Sequence, residues 1–181
     1  RGLDPGTYDI RADDGDKSAT LAGGFTVISG VPGNLQIHLG VPSAIRPGQH
    51  GIVTVDYANA GDTDIVAPLL IVSAVNADLK LPWQSDFAGD RVGFLAINTD
   101  GPAGILAPGA KGQMSIAFRP TVTAGTIDFT VGTLSDSAQA IDWSAIKEQL
   151  RPADMPADAW DALWANFIAS VGSTVGDYQT A

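Results

Sequence analysis

Two histidines, twenty carboxylates and no cysteine are the material from which this chain could build chemistry. A hydrolytic triad needs a nucleophile, a base within hydrogen-bond reach and a group that orients the base. His38 sits between Ile37 and Leu39 on the outward parity of an alternating stretch, and His50 lies in the turn Pro47-Gly48-Gln49-His50-Gly51. No serine falls in a Gly-x-Ser-x-Gly elbow, and thiol catalysis needs a cysteine, so no catalytic residue is assigned. Asp86 and Asp90 share a loop with Trp83, a residue type on which sugars stack, and these three are the candidate ligand-binding residues. Paired acids also serve glycoside hydrolysis. Spacing alone says little, however, in a chain whose acidic residues are all Asp except Glu148. The stretch Gly104 to Gly109 matches Gly-x4-Gly, but Ala110-Lys111-Gly112 follows where a phosphate loop requires Gly-Lys-Ser/Thr.

Calcium is the one cofactor that the residue types invite, because hard oxygen ligands in turns stiffen extracellular β modules. Asp13, Asp14 and Asp16 share one hairpin turn and Asp62 and Asp64 another, although neither has the spacing of an EF-hand loop. The competing reading is an ordinary Asp-Gly turn, and the chain is expected to fold without a cofactor.

These residues must be held by strands. In Gly51 to Asn59, Val53, Val55 and Tyr57 alternate with Thr54 and Asp56, the period of a half-buried strand, and Asn59-Ala60-Gly61-Asp62 supplies a turn. The same pattern predicts strands over 35–41, 65–75, 92–98, 112–119 and 126–134. Val55, Tyr57, Ile116, Phe118, Ile127 and Phe129 are expected to face inward, with Asp128 outward. Residues 1–28 read as a hairpin turning at Asp13-Asp14-Gly15-Asp16, and residues 29–34 have linker chemistry. After residue 135 the period becomes helical. Trp143, Ile146 and Leu150 follow Asp142 as N-cap, with Arg151-Pro152 as the stop. Trp160, Leu163, Trp164, Phe167, Ile168 and Val171 then form an amphipathic stripe, with Pro156 and Asp158 in the first turn and Gly172 at the end. Ser173-Thr174 beyond it can cap a further helix. A stripe of that width must be covered, so Trp160, Leu163, Trp164 and Phe167 are assigned to docking on the sheets or on a neighbour.

Composition narrows the function. A net charge of −10 with scattered basic residues argues against nucleic acid and against an anionic membrane surface. The longest apolar run, 65–75, is broken by Pro68 and is far short of the roughly 20 residues that span a bilayer, so no membrane insertion is expected. Starting at Arg1 with no signal-peptide pattern, the chain is expected to be a mature fragment or one module of a longer protein.

The phrase GTYDIRADDGDKSATLAGGFTV resembles the last strands of the TIG/IPT immunoglobulin-like family, with its polar Asp-Gly turn and Phe-Thr-Val end. PGQHGIVTVDYANAGDTDIVAP is similar to the CARDB-type modules of bacterial surface proteins, and the pattern extends over 34–135, with residues 78–90 as a departure from it. These resemblances imply a mainly β chain: a TIG-like terminal hairpin at 1–28, an immunoglobulin-like β-sandwich at 34–135 and a C-terminal α-helical pair within 140–181. They also imply a non-catalytic extracellular or cell-surface module for spacing, adhesion or assembly, whose partners are neighbouring domains of the same polypeptide or another protein chain. The alternative is an accessory carbohydrate-binding module of a secreted enzyme, with a glycan held at Trp83.

Overall fold

In the computed structural model, which describes residues 3–102 and 104–181, the first alternating segment forms an antiparallel hairpin of β1 (Gly6–Asp13) and β2 (Ser18–Val27). Tyr8 pairs with Phe25, Ile10 with Leu21 and Ala12 with Ala19. Between Tyr8 and Ile10, β1 spends one residue where β2 spends three, a bulge held by the Gly23 N–H donating to Asp9 Oδ1 at 2.8 Å. The bulge keeps both apolar sets on one face, so this hairpin is apolar on one side and polar (Thr7, Asp9, Arg11, Thr20, Thr26) on the other. It belongs to a compact unit, Arg1–Pro32, distinct from Gly33–Ala181.

The second unit contains β3 (Leu35–Gly40), β4 (Gly51–Asn59), β5 (Ile65–Val66), β6 (Leu69–Val75), β7 (Ala77–Lys80), β8 (Arg91–Leu95), β9 (Ile105–Leu106), β10 (Lys111–Pro120) and β11 (Asp128–Thr133). Helices α1 (Trp143–Ile146), α2 (Ala157–Val171) and α3 (Val175–Thr180) follow. A four-stranded sheet runs β3-β4-β10-β7, a three-stranded sheet β11-β6-β8, and β5 pairs with β9; every pairing is antiparallel. The chain is mainly β. Both larger sheets feed one hydrophobic cluster: Val53, Val55 and Tyr57 of β4 and Ile116 and Phe118 of β10 meet Leu70 and Val72 of β6 and Val92 and Phe94 of β8. Ile127 and Phe129 pack against its margin, half-buried, and Asp128 points to solvent.

Three elements differ from the sequence-based expectation. The run 65–75 is two strands in different sheets, because Pro68 lacks an N–H and cannot continue the ladder. The 78–90 departure opens on the last three residues of β7, which completes the four-stranded sheet by pairing with β10. Three helices stand where a pair was expected. Asp142 caps α1 by accepting from the Ser144 N–H, but that helix ends at Ile146 rather than near Leu150: the Gln149 N–H donates to the Ile146 carbonyl, and the Ala145 carbonyl it would otherwise reach accepts from the Trp83 indole. Pro156 is the N-cap of α2 rather than part of its first turn, and Gly172 (φ 73°) ends it, in a position where any Cβ would collide with Asp177. Thr174 and Asp177 then form a capping box that starts α3.

Asn59, at the end of β4, is the buried polar side chain of the core. Its Nδ2 donates to the Thr63 and Leu106 carbonyls (2.8 and 2.9 Å), and its Oδ1 accepts from the Gly61 and Asn34 N–H groups (3.0 and 3.1 Å). Replacing it with Ala strands all these backbone groups, so Asn59→Ala should cost about 2 to 4 kcal/mol in urea unfolding. Asp128→Ala should be close to neutral. Phe118→Ala should cost about 3 to 5 kcal/mol, and half-buried Phe129→Ala less. An Asn59→Ala loss no larger than that of Asp128→Ala would deny the side chain this role.

Candidate functional site

The hydrogen-bond parity of β8 leaves part of a sheet edge open. The Ala74 N–H donates to the Asp90 carbonyl and the Ala96 N–H to the Pro68 carbonyl, both at 2.8 Å. With Ser73 opposite Arg91, Ile71 opposite Gly93 and Leu69 opposite Leu95, this phase makes Val92 and Phe94 the residues bonded to β6. The backbone groups of Arg91, Gly93 and Leu95 therefore point away from the sheet. At Leu95 the edge is closed by the Gln149 side chain, whose Oε1 accepts from the Leu95 N–H (2.9 Å) and whose Nε2 donates to the Leu95 carbonyl (2.8 Å). At Arg91 and Gly93 nothing among the described residues plays that part.

A cleft of about 500 Å³ lies over this edge. One wall is the 81–88 loop, with Leu81, Gln84 and Ala88, and the other is residues 139–146. Ile71 and Gly93 form its floor, and Gly132 stands opposite Ile71 on the far side. The two walls are tied together by the Trp83 indole N–H, which donates to the Ala145 carbonyl at 3.1 Å.

The residues singled out in the sequence are spread over both units. Trp83 is half-buried against the core cluster and serves as the tie just described, while Asp86 and Asp90 are exposed, with Asp86 accepting from Ser85 Oγ at 2.8 Å. In the hairpin turn, Asp13 pairs with Arg11 and accepts from the Gly15 N–H, and Asp14 Oδ1 accepts from the Asp16 and Lys17 N–H groups. Asp62 and Asp64 are exposed in a turn organised by Asn59. No group of three or more His or acidic side chains among the described residues is placed to hold a metal ion. His38 is exposed on the outer face of β3, and His50 packs edge-on against Phe87, with ring centroids 5.2 Å apart.

The helical stripe meets the outer face of β6 and β8. Leu69, Leu95, Ile141, Trp143, Ile146, Trp164 and Val175 form a second buried cluster, joined by Trp160, Phe167 and Tyr178 at its margin. Trp143 is edge-on to Trp164, Phe167 and Tyr178, and its indole N–H donates to the Gly172 carbonyl at 2.9 Å. Leu163 stays 49% exposed. Burial pushes the Tyr178 phenol up to about 12, and its hydroxyl donates to the Ala67 carbonyl at 3.0 Å. Burial also raises Tyr57, whose hydroxyl donates to the Ile97 carbonyl. Exposed Asp177 is lowered, by the Thr174 hydroxyl first and by the Thr174 and Ser173 N–H groups.

The open rungs at Arg91 and Gly93 and the Gln149 closure carry no sequence signal, because edge status depends on the order of strands in the sheet. No family model matches this chain, and no curated protein gives a significant match.

Two outcomes follow from the geometry. A phenol whose folded pKa lies above its unfolded value stabilises the fold below the unfolded pKa and ceases to do so as pH rises through the folded one. Stability should therefore fall between pH 10 and about 12, and Tyr178→Phe should flatten much of that slope, with Tyr57 supplying the rest. Ultraviolet difference titration should show the late phenol, and normal ionisation of every tyrosine in the folded protein would contradict this. For calcium, excess EDTA should leave the thermal midpoint unchanged, whereas a drop of several degrees would assign structural calcium to an Asp turn.

Proposed function

We propose that this chain is a non-catalytic spacer and assembly module of a larger extracellular or surface protein. In this reading the two larger sheets form an immunoglobulin-like β-sandwich and the hairpin is its assembly element. The observation that carries the proposal is the hairpin's apolar face. Ile10, Leu21 and Phe25 remain 48%, 62% and 50% exposed, all on the side opposite Asp9, Arg11 and Thr20. A two-stranded hairpin is marginal in water without a packed face, and strict alternation suits packing against another sheet. The fitting partner is a β-sheet of a neighbouring module, from the same polypeptide or another chain.

The titratable groups support the same class. The raised groups, Tyr57 and Tyr178, each donate to a backbone carbonyl, and Asp177 serves a helix cap, so each perturbed group has a structural partner rather than a place in a catalytic constellation. Trp83 packs against the core and spends its N–H on Ala145, so the glycan reading gains nothing from it.

The test is sedimentation of the full chain over a range of concentrations. Association through the hairpin should appear as concentration rises and be lost in the Leu21→Asp/Phe25→Asp double variant, with the unfolding of the Gly33–Ala181 unit unchanged. A chain that stays monomeric while its hairpin amides are strongly protected from exchange has no need of a partner sheet, and the assembly role would fall.

A further inference from the structure

We propose that the cleft beside β8 receives a short extended peptide segment, which adds a strand at Arg91 and Gly93 and places an acidic side chain at Arg91. The site lies wholly in the Gly33–Ala181 unit, goes beyond the spacer reading and does not depend on the hairpin.

The open edge is complementary to a strand in its hydrogen bonding. Arg91 and Gly93 of β8 both line the cleft, and their two N–H and two C=O groups point away from β6 in the alternating phase of a β ladder. Gln149 shows what this edge accepts: a planar amide that takes the Leu95 N–H and gives to the Leu95 carbonyl within 2.9 Å, as a neighbouring strand would. The peptide groups of an extended segment are the same chemistry, two residues further along. Main-chain bonding to an exposed edge is an established mode of peptide recognition.

Shape agrees. Along the outer face Gly132, Ile71 and Gly93 lie in one row across β11, β6 and β8, so a single side chain stands between two positions without one. The glycine at 93 makes room for the Ile71 side chain, whose Cδ1 lies 2.8 Å from where a Cβ would stand. About 500 Å³ is within the range of pockets that hold small ligands, and the walls at 81–88 and 139–146 admit a peptide but not the edge of a folded sheet. A second copy is also a poor fit: pairing β8 with itself about Gly93 would set Arg91 against Leu95 of the other copy, where Gln149 already sits.

Charge selects the peptide. Arg91 lines the cleft beside the open rung, and its Nε donates to Ser73 Oγ at 3.3 Å. It forms no ion pair among the described residues, in a chain of net charge −10. A carboxylate on the added strand gives its guanidinium the partner it lacks, through a charge-assisted bond.

The probes are two acetylated, amidated pentapeptides, Val-Thr-Val-Asp-Val and Val-Thr-Val-Lys-Val, together with forms of the acidic peptide N-methylated at alternate residues in either phase. Binding is followed on the full chain by amide NMR. The acidic peptide should shift the Arg91 and Gly93 amide resonances and slow their exchange by about ten-fold or more when saturating. At least one N-methylated phase should fail to do so. Arg91→Glu should weaken the acidic peptide roughly two- to five-fold and favour the lysine peptide instead, the size expected of an exposed pair. The proposal is overturned if neither amide responds at millimolar peptide, or if both N-methylated phases bind as well as the parent, since the contact would then be apolar only. Equal affinity for the acidic and lysine peptides overturns the choice of an acidic partner.

Discussion

The side-chain amide of Asn59 ties the end of β4 to the turn that follows it, to β9 and to the residue before β3. Where β4 ends, the chain leaves the apolar cluster in a turn, and the turning backbone leaves N–H and C=O groups with no strand opposite them. Asn59 supplies two donors and two acceptor sites at one point, which an Asp cannot, because a carboxylate only accepts. It thereby fastens the start of β3 through Asn34, the turn itself through Gly61 and Thr63, and β9 through Leu106. Its own backbone accepts from Gly109 and donates to Ala110, which sets β10 against β4. From that register Gly112 falls opposite Tyr57, where a Cβ would meet the phenol ring, and the Tyr57 hydroxyl is left to reach the Ile97 carbonyl.

The second consequence runs through Pro68. Because the chain changes sheets there, β5 stays with β9 while β6 becomes the central strand of the three-stranded sheet, bonded to β11 on one side and β8 on the other. The sheet then has an outer face, Leu69, Ile71 and Ser73 on β6 and Leu95, Gly93 and Arg91 on β8, that the shared core cannot cover. The helices cover one end of it, over Leu69 and Leu95. They stop short of Ile71 and Gly93, and the cleft is the remainder. Cleft and helical cluster are thus one decision in the fold: how far along β6 and β8 the C-terminal segment extends.

Much of this was legible in the sequence and some could not be. Period-two alternation located β4 and β10 to within a residue, and the inward set Val55, Tyr57, Ile116 and Phe118 is buried in the core. The Asp142 cap and the Gly172 stop also follow from local chemistry that needs no tertiary information. What escaped is non-local. β7 is four residues of unremarkable composition that become a strand because β10 offers them an edge. Asn59 read as a turn residue, and nothing in Asn-Ala-Gly-Asp reveals a partner at Leu106. The hairpin aspartates that suggested a calcium site accept from turn amides, a common use of Asp in such a sequence.

The tryptophans show how the helical cover is held in a chain with so few cations. No basic residue occupies the last turn of any of the three helices, so the orphan carbonyls at their ends lack the usual Lys or Arg neighbours. Indole N–H groups occupy that role: Trp83 donates to Ala145 and Trp160 to Lys147 at the end of α1, and Trp143 donates to Gly172 at the end of α2. Each ring then lays its apolar body on one of the two hydrophobic clusters while its polar edge closes a helix. A lysine in any of these places could satisfy the carbonyl but would bring a charge to the margin of the cluster. Tryptophan does both without charge, which makes Trp83, Trp143 and Trp160 helix caps as well as packing residues, two of them holding the end of the short α1 beside the open edge of β8.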